Sequence, residues 1–191
     1  PIVLLSLVAV YIFFERWFAI KKAARVDQNF MNRIKDYIHD GKVENALTLC
    51  QSYSNPTARM IEKGIQRIGR PLADINGAIE NTGKLEIYAL EKGLPTLATV
   101  AGGAPMIGFL GTVMGMIRAF VDMASAGNNI DVSLLSRGIY TALITTVAGL
   151  IVGIIAYFAY NILVARVEKV VNKLEASTTE FLDLLNEPVS K

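Results

Sequence analysis

The stretch "GLPTLATVAGGAPMIGFLGTVMGMI", residues 93–117, decides the fold of this chain. It carries no charged side chain, and it is longer than the roughly 20 residues that a helix needs to cross the hydrocarbon core of a membrane. Its central part nevertheless holds Gly108, Gly111 and Gly115. The stretch therefore predicts a transmembrane helix whose glycines allow another group to approach the helix closely.

Two further apolar blocks lie on either side of it. Residues 1–14 carry no charge and reach spanning length if the helix continues to Ile20, and residues 138–165 carry none. With 52% hydrophobic residues in 191, the chain has too little other material to bury three such helices in a soluble core. The first block also lacks the basic region and cleavage site of a secretory signal. We predict an all-α membrane protein with transmembrane helices at 1–20, 93–121 and 138–165.

Basic residues near the ends of the spans predict the orientation, because such residues are retained on the cytoplasmic side. They follow the first span, precede the second and follow the third: Lys21, Lys22, Arg25, Lys92, Arg166, Lys169 and Lys173. This places the amino terminus outside, a helical domain at 21–92 and a helical tail at 166–191 in the cytoplasm, and a short periplasmic link at 122–137. Since the chain starts at Pro1 and not at Met, we expect further residues before it.

Several functional classes are disfavoured by the composition. A net charge of +2 with interspersed acidic and basic residues does not indicate nucleic-acid binding. Cys50 is the single cysteine and His39 the single histidine, so we expect neither a disulfide nor a metal site and assign both residues to the solvated surface. No phosphate-binding loop is present, no cofactor is expected, and the absence of Cys, His, Asp or Glu at membrane depth argues against an enzyme.

Residues 21–92 show apolar side chains at spacings of three and four, which indicates amphipathic helices. Gly41 is typical of a helix stop, and Pro56 in the turn "SNPT" (54–57) can open the next helix. From about Leu72 the pattern is expected to continue into the second span as one long helix. A second long helix is expected from about Leu134 to Leu185. The apolar stripes of the two long helices are expected to pack either within one chain or between copies of an oligomer.

Placed on helical wheels, the second and third spans each divide into a small-residue arc and a bulky arc. The small arc of the second span holds Ala101, Ala104, Gly108, Gly111, Thr112, Gly115 and Ala119. That of the third holds Thr141, Ala142, Thr145, Thr146, Ala148, Gly149, Val152, Gly153, Ala156 and Ala159. Small residues let membrane helices approach closely, so the arcs indicate ordinary helix pairing, or pairing together with a cavity lined by hydroxyl groups. The first span is bulky on every side, as expected of a helix that faces lipid.

Neither glycine-rich span has an ionisable side chain in its interior. Intramembrane carboxylates or histidines mark proton relays, so a partner would have to bring the proton carrier if this chain conducts protons. Pro105 lies within the second span and is expected to kink it.

The motifs "AP", "GFLGTVMGM" and "TTVAGL" make residues 85–165 resemble the ExbB/TolQ/MotA proton-channel family. Three spans and a large first cytoplasmic segment resemble its ExbB/TolQ branch. The resemblance implies a homopentameric bundle in the bacterial inner membrane, surrounding the single transmembrane helices of ExbD- or TolR-type partners. Each partner helix carries an essential aspartate, and proton flow energises an outer-membrane process through a TonB- or TolA-type protein.

The resemblance also assigns candidate residues. The pore threonines of the family fall on Thr112 and Thr146, Thr145 is a further candidate, and Thr141 occupies a position where many members have glutamate. The residues expected to pack closely against a partner or a neighbouring subunit are Gly108, Gly111, Gly115, Ala142, Gly149 and Gly153. The hypothesis is a proton-channel subunit that energises TonB-dependent transport. A TolQ-like role, sodium in place of protons and a non-conducting helical scaffold remain the alternatives.

Overall fold

The computed structural model describes residues 1–25, 27, 29–125 and 132–186. These residues form helices α1 Ile2–Ala23, α2 Phe30–His39, α3 Val43–Ser52, α4 Pro56–Ile65, α5 Leu72–Glu91, α6 Leu94–Ser125 and α7 Val132–Asn186. The described part of the chain holds no strand. The predicted all-α class is therefore confirmed.

Three stretches are long and apolar enough to cross a membrane: Ile2–Ala23, Leu72–Ser125 and Leu135–Asn186. By length and composition, the prediction of three membrane-spanning helices is confirmed. Parts of three predicted segments lie outside the described residues, namely 26 and 28 in the segment 21–92, 126–131 in the link and 187–191 in the tail.

The short helices begin and end at the residues that the sequence indicates. Gly41 follows α2 with a φ of 70°, a conformation in which only glycine avoids a steric penalty. At the start of α4, Oδ1 of Asn55 accepts a hydrogen bond of 2.8 Å from the backbone N–H of Ala58. Pro56 is the first residue of that helix, where its missing N–H costs no hydrogen bond.

The expected continuous helix from Leu72 into the second span is wrong. Helix α5 ends at Glu91 and α6 begins at Leu94, because Gly93 between them adopts a φ of 85°. A left-handed residue cannot continue a right-handed helix, and glycine adopts this conformation without strain. Helix α7, in contrast, runs unbroken over 55 residues, as the sequence predicts.

The chain divides into two compact units. We call residues 1–15 and 93–163 the apolar unit, and residues 16–92 and 164–191 the amphipathic unit. The amphipathic unit buries large side chains contributed by α2, α4, α5 and α7, among them Phe30, Ile34, Ile61, Ile79 and Phe181. Its core is thus built as in a water-soluble helical protein.

The expectation of a solvated Cys50 is wrong. Its side chain lies in the core of the amphipathic unit and is 2% exposed, because Cys50 lies on the apolar stripe of α3 with Ala46. Burial raises the pKa of the Cys50 thiol to about 12. His39 is exposed at the end of α2, as expected.

Candidate functional site

Helices α6 and α7 touch through their backbones in the middle of the apolar unit. A Cβ added at Gly108 would lie 2.8 Å from the carbonyl oxygen of Thr145 and 3.1 Å from Cα of Gly149. One added at Gly149 would lie 2.5 Å from the carbonyl oxygen of Ala104. Backbone atoms cannot move aside as a side chain can, so both positions require glycine at this separation of the helices.

The same contact extends along both helices. A Cβ at Gly111 would lie 2.7 Å from Oγ1 of Thr145, and one at Gly115 would lie 2.8 Å from Cβ of Ala142. A Cβ at Gly153 would overlap the ring of Pro105. The two small-residue arcs therefore face each other within one chain.

One pair of this contact was not singled out from the sequence. A Cβ at Gly138 would lie 2.5 Å from Cβ of Ala119. Gly138 begins the uncharged block of the third span. It lies four residues before Ala142 and so on the same helical face, and this spacing could have indicated the contact from the sequence. The contact between the two helices thus reaches from Gly153 to Gly138.

Three threonine hydroxyls meet at the carbonyl of Gly108. The Thr146 hydroxyl donates to this oxygen at 3.1 Å and that of Thr145 reaches it at 3.3 Å. The Thr112 hydroxyl lies 3.2 Å from the carbonyl oxygen of Ala142 and in close contact with the Thr146 hydroxyl. We call Thr112, Thr145, Thr146 and the Gly108 and Ala142 carbonyls the hydroxyl cluster.

The cluster contains more acceptors than protons. Each threonine hydroxyl carries one proton and can accept two hydrogen bonds. Thr145 can donate to Ala142 at 2.7 Å or to Gly108, and Thr112 can donate to Ala142, to Gly108 at 3.3 Å or to Thr146. The cluster therefore has alternative hydrogen-bonding arrangements that differ only by rotation of hydroxyl groups.

The remaining candidates lie away from the cluster. Thr141 is exposed, and its hydroxyl donates to the Arg137 carbonyl of its own helix at 2.9 Å. Pro105 lies inside α6, which continues through it, and the kink expected there stays a prediction. Gly102 faces open space, with no atom within 4 Å of an added Cβ.

The chemistry that the cluster offers is limited to neutral oxygens. Thr112 is 8% exposed and Thr146 is half-buried, so the hydroxyls are mostly shielded but reachable. No group of three or more His, Cys, Asp or Glu residues among the described residues could hold a metal ion. Neutral oxygens can bind water, a protonated carboxyl group or a dehydrated cation.

These features define a helical membrane protein whose spans pair through glycine and carry a buried hydroxyl cluster. The sequence model of the MotA/TolQ/ExbB proton channel family matches residues 52–176. The chain belongs to this family, and the ExbB/TolQ resemblance predicted from the motifs is confirmed. The family is one of transport and proton-channel proteins.

Individual relatives carry the names of two related systems. A homologue of the biopolymer transport protein ExbB from Methanothermobacter thermautotrophicus is 30% identical over 176 residues, which cover 90% of this chain and 62% of the relative. A biopolymer transport protein ExbB-like 2 from Helicobacter pylori is 44% identical over 90 residues, covering 47% and 59%. The chain thus spans less than two thirds of the length of these two relatives. The Tol-Pal system protein TolQ of Pseudomonas aeruginosa is 28% identical over 209 residues, covering 98% and 88%.

Proposed function

We propose that this chain is the wall-forming subunit of a proton-driven motor. Five copies surround the transmembrane helices of an ExbD- or TolR-type partner, and an aspartate on each partner helix carries the proton. The motor uses the proton motive force to energise TonB-dependent transport across the outer membrane. This role of the whole protein is inferred from its family membership and from its similarity to the ExbB relatives.

The observation that carries the proposal is the hydroxyl cluster between α6 and α7. It supplies polar groups at membrane depth in two helices whose spans have no ionisable interior side chain. Hydroxyls that can rotate between acceptors are suited to exchange hydrogen bonds with water or with an aspartate that gains and loses a proton. Thr112 and Thr146 belong to the buried part of this pathway, Thr145 joins them, and the exposed Thr141 is available to a partner or a neighbouring copy.

The same proposal includes a topology in the bacterial inner membrane. The amino terminus is periplasmic, residues 21–92 and 166–191 are cytoplasmic, and residues 122–137 form the periplasmic link. In the amphipathic unit the guanidinium of Arg166 lies 3.4 Å above the Trp17 ring. Tryptophan and arginine are typical of the membrane–water interface, and this pair supports a cytoplasmic interface near both residues.

A TolQ-like role in the Tol-Pal envelope system is the second candidate. The observation that favours it is the Pseudomonas aeruginosa TolQ relative, which aligns with 98% of this chain and 88% of its own length. The two roles share the channel and differ in the partner that transmits the work. Identification of the copurifying single-span protein and of the envelope process lost on deletion distinguishes them.

A non-conducting scaffold is the third candidate, and the glycine contact itself favours it. Gly108, Gly111, Gly115, Gly149 and Gly153 all lie against the opposite helix of the same chain. Close packing between two helices accounts for these residues without any pore. This candidate explains the hydroxyl cluster as hydrogen bonds between the two helices and gives it no role in conduction.

The test is proton flux into liposomes that contain the purified complex with its partner. Thr146→Val removes one hydroxyl from the cluster and keeps the size of the side chain. We expect the flux to fall about tenfold, because one of the hydroxyls that exchange hydrogen bonds along the pathway is lost; a tenfold fall corresponds to about 1.4 kcal/mol in the barrier. Thr146→Ser should retain most of the flux, and a sodium gradient in place of the proton gradient tests the choice of ion.

The matched control is Thr99→Val in the same helix as Thr112. Thr99 is exposed, and its hydroxyl donates to the Pro95 carbonyl one turn before it at 2.9 Å. This variant should conduct as the unmodified protein does. Full flux in Thr146→Val with intact assembly would contradict the proposed pathway through the hydroxyl cluster. No flux in the unmodified complex would favour the non-conducting scaffold, and native mass measurement of the complex tests the five-copy ring directly.

A further inference from the structure

The turn between α4 and α5 and the first residue of α5, together residues 66–72, are exposed along their whole length. This segment carries Arg67 and Arg70 and no acidic residue, and it leaves Ile68 and Leu72 36% and 42% exposed. Gly69 turns the chain there with a φ of 94°. We call this segment the 66–72 tip. It presents a surface that is both basic and apolar.

A groove of opposite charge lies between α2 and α7 of the same unit. Its volume is about 490 Å³, and its lining includes the buried Met31 and Leu184 and the exposed Lys35, Glu180 and Asp183. We call it the α2–α7 groove. Glu180 and Asp183 are three residues apart on α7 and therefore lie on one face of the helix. With two carboxylates and one lysine the rim carries a net negative charge, and together with the apolar floor it complements the basic and apolar surface of the 66–72 tip.

The tip and the groove lie on opposite flanks of α7. Helix α7 packs over α4 and α5, since a Cβ added at Gly64 would lie 2.6 Å from the Phe181 ring and 2.7 Å from Ile79. A second cavity separates α7 from α5, and Thr179 lines both this cavity and the α2–α7 groove. The exposed ridge of α7 at Thr179 thus has α5 on one side and α2 on the other.

The tip and the groove also lie at the same level of the amphipathic unit. Leu72 lies about 30 Å along α5 from Lys92, where the chain leaves the unit. Asp183 lies roughly 28 Å along α7 from Val164, where the chain enters it. The Arg16 guanidinium donates to the Ala89 carbonyl and the neighbouring Trp17 ring lies against Arg166. Ala89 and Arg166 are therefore near one level, so Leu72 and Asp183 stand at similar heights.

Complementary surfaces at one level on opposite flanks are what a closed ring of identical subunits requires, because a heterologous contact repeats around the ring. We propose that the 66–72 tip of one copy binds in the α2–α7 groove of the next copy. Arg67 and Arg70 then face Glu180 and Asp183, while Ile68 covers Met31 and Leu184. This inference rests on the proposed function, which includes a ring of this chain.

The contact fixes the register between neighbouring amphipathic units and contributes little to the strength of the ring. Ion pairs at an exposed rim are weak individually and are screened by salt. The apolar residues of the tip are few, and most of the ring contact would lie elsewhere. A local measurement at the tip is therefore a sharper test than the stability of the whole ring.

The experiment is disulfide formation between copies in the membrane-embedded complex. Cys50 is the only cysteine, so Ile68→Cys and Thr179→Cys in a Cys50→Ala background introduce the only two thiols of each chain. Mild oxidation should give bands at multiples of the chain mass, since a disulfide requires Cα atoms within roughly 7 Å. The matched control pairs Ile68→Cys with Glu80→Cys, which lies on the α5 side of α7, and should give no such bands.

Charge reversal tests the ion pairs. Arg67→Glu with Arg70→Glu should slow the cross-linking about tenfold, equivalent to roughly 1.4 kcal/mol from two rim pairs. Glu180→Arg with Asp183→Arg should do the same. All four changes in one chain should restore the rate, because every contact in a ring then again joins opposite charges.

The outcomes separate this inference from the proposed function. If native mass gives five copies and proton flux is normal but no cross-link forms, the docking contact is wrong and the motor stands. Cross-links from the thiol introduced at Thr179 to the partner protein, with none between copies, would also overturn the contact. A protein that is monomeric by native mass would overturn both.

Discussion

The two units of this chain differ in the side chains that fill their main helix contacts. Where α6 and α7 touch in the apolar unit the buried residues are small, among them Gly108, Ala142 and Gly149, while Phe158 is 62% exposed. The fully buried large residues of this unit, Leu97 and Leu163, lie next to its boundaries at 93 and 163. In the amphipathic unit large aromatic and aliphatic side chains are fully buried, and Phe181 is 0% exposed. The same chain therefore follows two packing rules.

The difference follows from the solvent around each unit. In water, burial of large apolar side chains stabilises the fold in proportion to the area removed from water. In lipid, the hydrocarbon chains solvate leucine, isoleucine and phenylalanine as well as a protein core does, so van der Waals contact between closely spaced helices becomes the main gain. Small residues give that close spacing, and large residues are left to face the lipid.

The glycines show the contrast at single positions. Gly64 in the amphipathic unit makes room for the Phe181 ring and the Ile79 side chain. Gly108 in the apolar unit makes room for the backbone of α7. A side chain can rotate away from an added methyl group, whereas a helix backbone has to move as a whole. Glycine thus accommodates large side chains in one unit and a second helix in the other.

The comparison is tested most strongly by the same substitution in both units. Phe181→Ala removes a fully buried ring and should lower the free energy of unfolding of the amphipathic unit by about 3–5 kcal/mol. Phe158→Ala removes a ring that is 62% exposed and should change stability by less than about 1 kcal/mol. Urea unfolding in detergent, followed by the fluorescence of Trp17, measures the first, and thermal aggregation of the purified protein compares both. Equal losses would mean that the units do not follow different rules.

A methyl group added at a glycine of α7 should have the next largest effect. Gly149→Ala places a Cβ 2.5 Å from the Ala104 carbonyl oxygen, and overpacking of this kind costs about 1–3 kcal/mol. Cysteine cross-linking between α6 and α7 and resistance to proteolysis in detergent report the loss of pairing. Gly102→Ala is the matched control, because open space surrounds Gly102 and alanine favours the helix. A destabilised Gly102→Ala protein would contradict the described α6 surface.

Much of this arrangement could be predicted from the sequence, for a physical reason in each case. The uncharged blocks predict the spans because a charge at membrane depth is costly, and the wheel positions of Gly108 and Gly149 predict a close contact because only that face lacks large side chains. The break at Gly93 was not predicted, since a glycine in an apolar run is compatible with a helix and only the backbone angle shows otherwise. The burial of Cys50 was available from the sequence, because Cys50 follows Ala46 by four residues on the apolar face of α3. The expectation of a solvated thiol considered the single cysteine apart from this spacing.

The hydroxyl cluster was predicted only in part. The wheels placed Thr112, Thr145 and Thr146 on small arcs, but their meeting at the Gly108 carbonyl depends on how the two helices are aligned along their axes. Thr141 lies on the edge of the same arc and bonds only to its own helix in the described contacts. Wheel positions give the direction of a side chain and leave its partner undetermined.

Removal of an ion pair in the amphipathic unit should lower stability by less. The Arg59 guanidinium donates two hydrogen bonds to Glu86, at 2.6 Å and 2.5 Å, and this pairing raises the pKa of Arg59. Glu86→Gln keeps the shape and removes the charge, and we expect a loss of at most about 1 kcal/mol because Arg59 is partly exposed. Glu44→Gln on α3, which is exposed, serves as the control in the same urea titration. A loss several times larger would mean that the pair is far less solvated than its exposure indicates.

The smallest effect concerns Cys50 and depends on pH. Burial raises the pKa of its thiol from 9.0 to about 12, so the folded amphipathic unit keeps the thiol protonated where the unfolded chain begins to lose the proton. Ionisation of this thiol therefore leaves the stability of the unit unchanged below pH 9.0 and lowers it as the pH rises from there towards about 12.

At pH 8 we expect alkylation of Cys50 by iodoacetamide to be slow in the folded protein and fast in urea, because the thiolate is the reactive form. Thr48→Cys in a Cys50→Ala background places an exposed thiol on the same helix and should react fast in both conditions. Equal rates for the two thiols in the folded protein would show that α3 does not pack into the unit, and the contrast between a water-type core and a lipid-type contact would then be wrong on the amphipathic side.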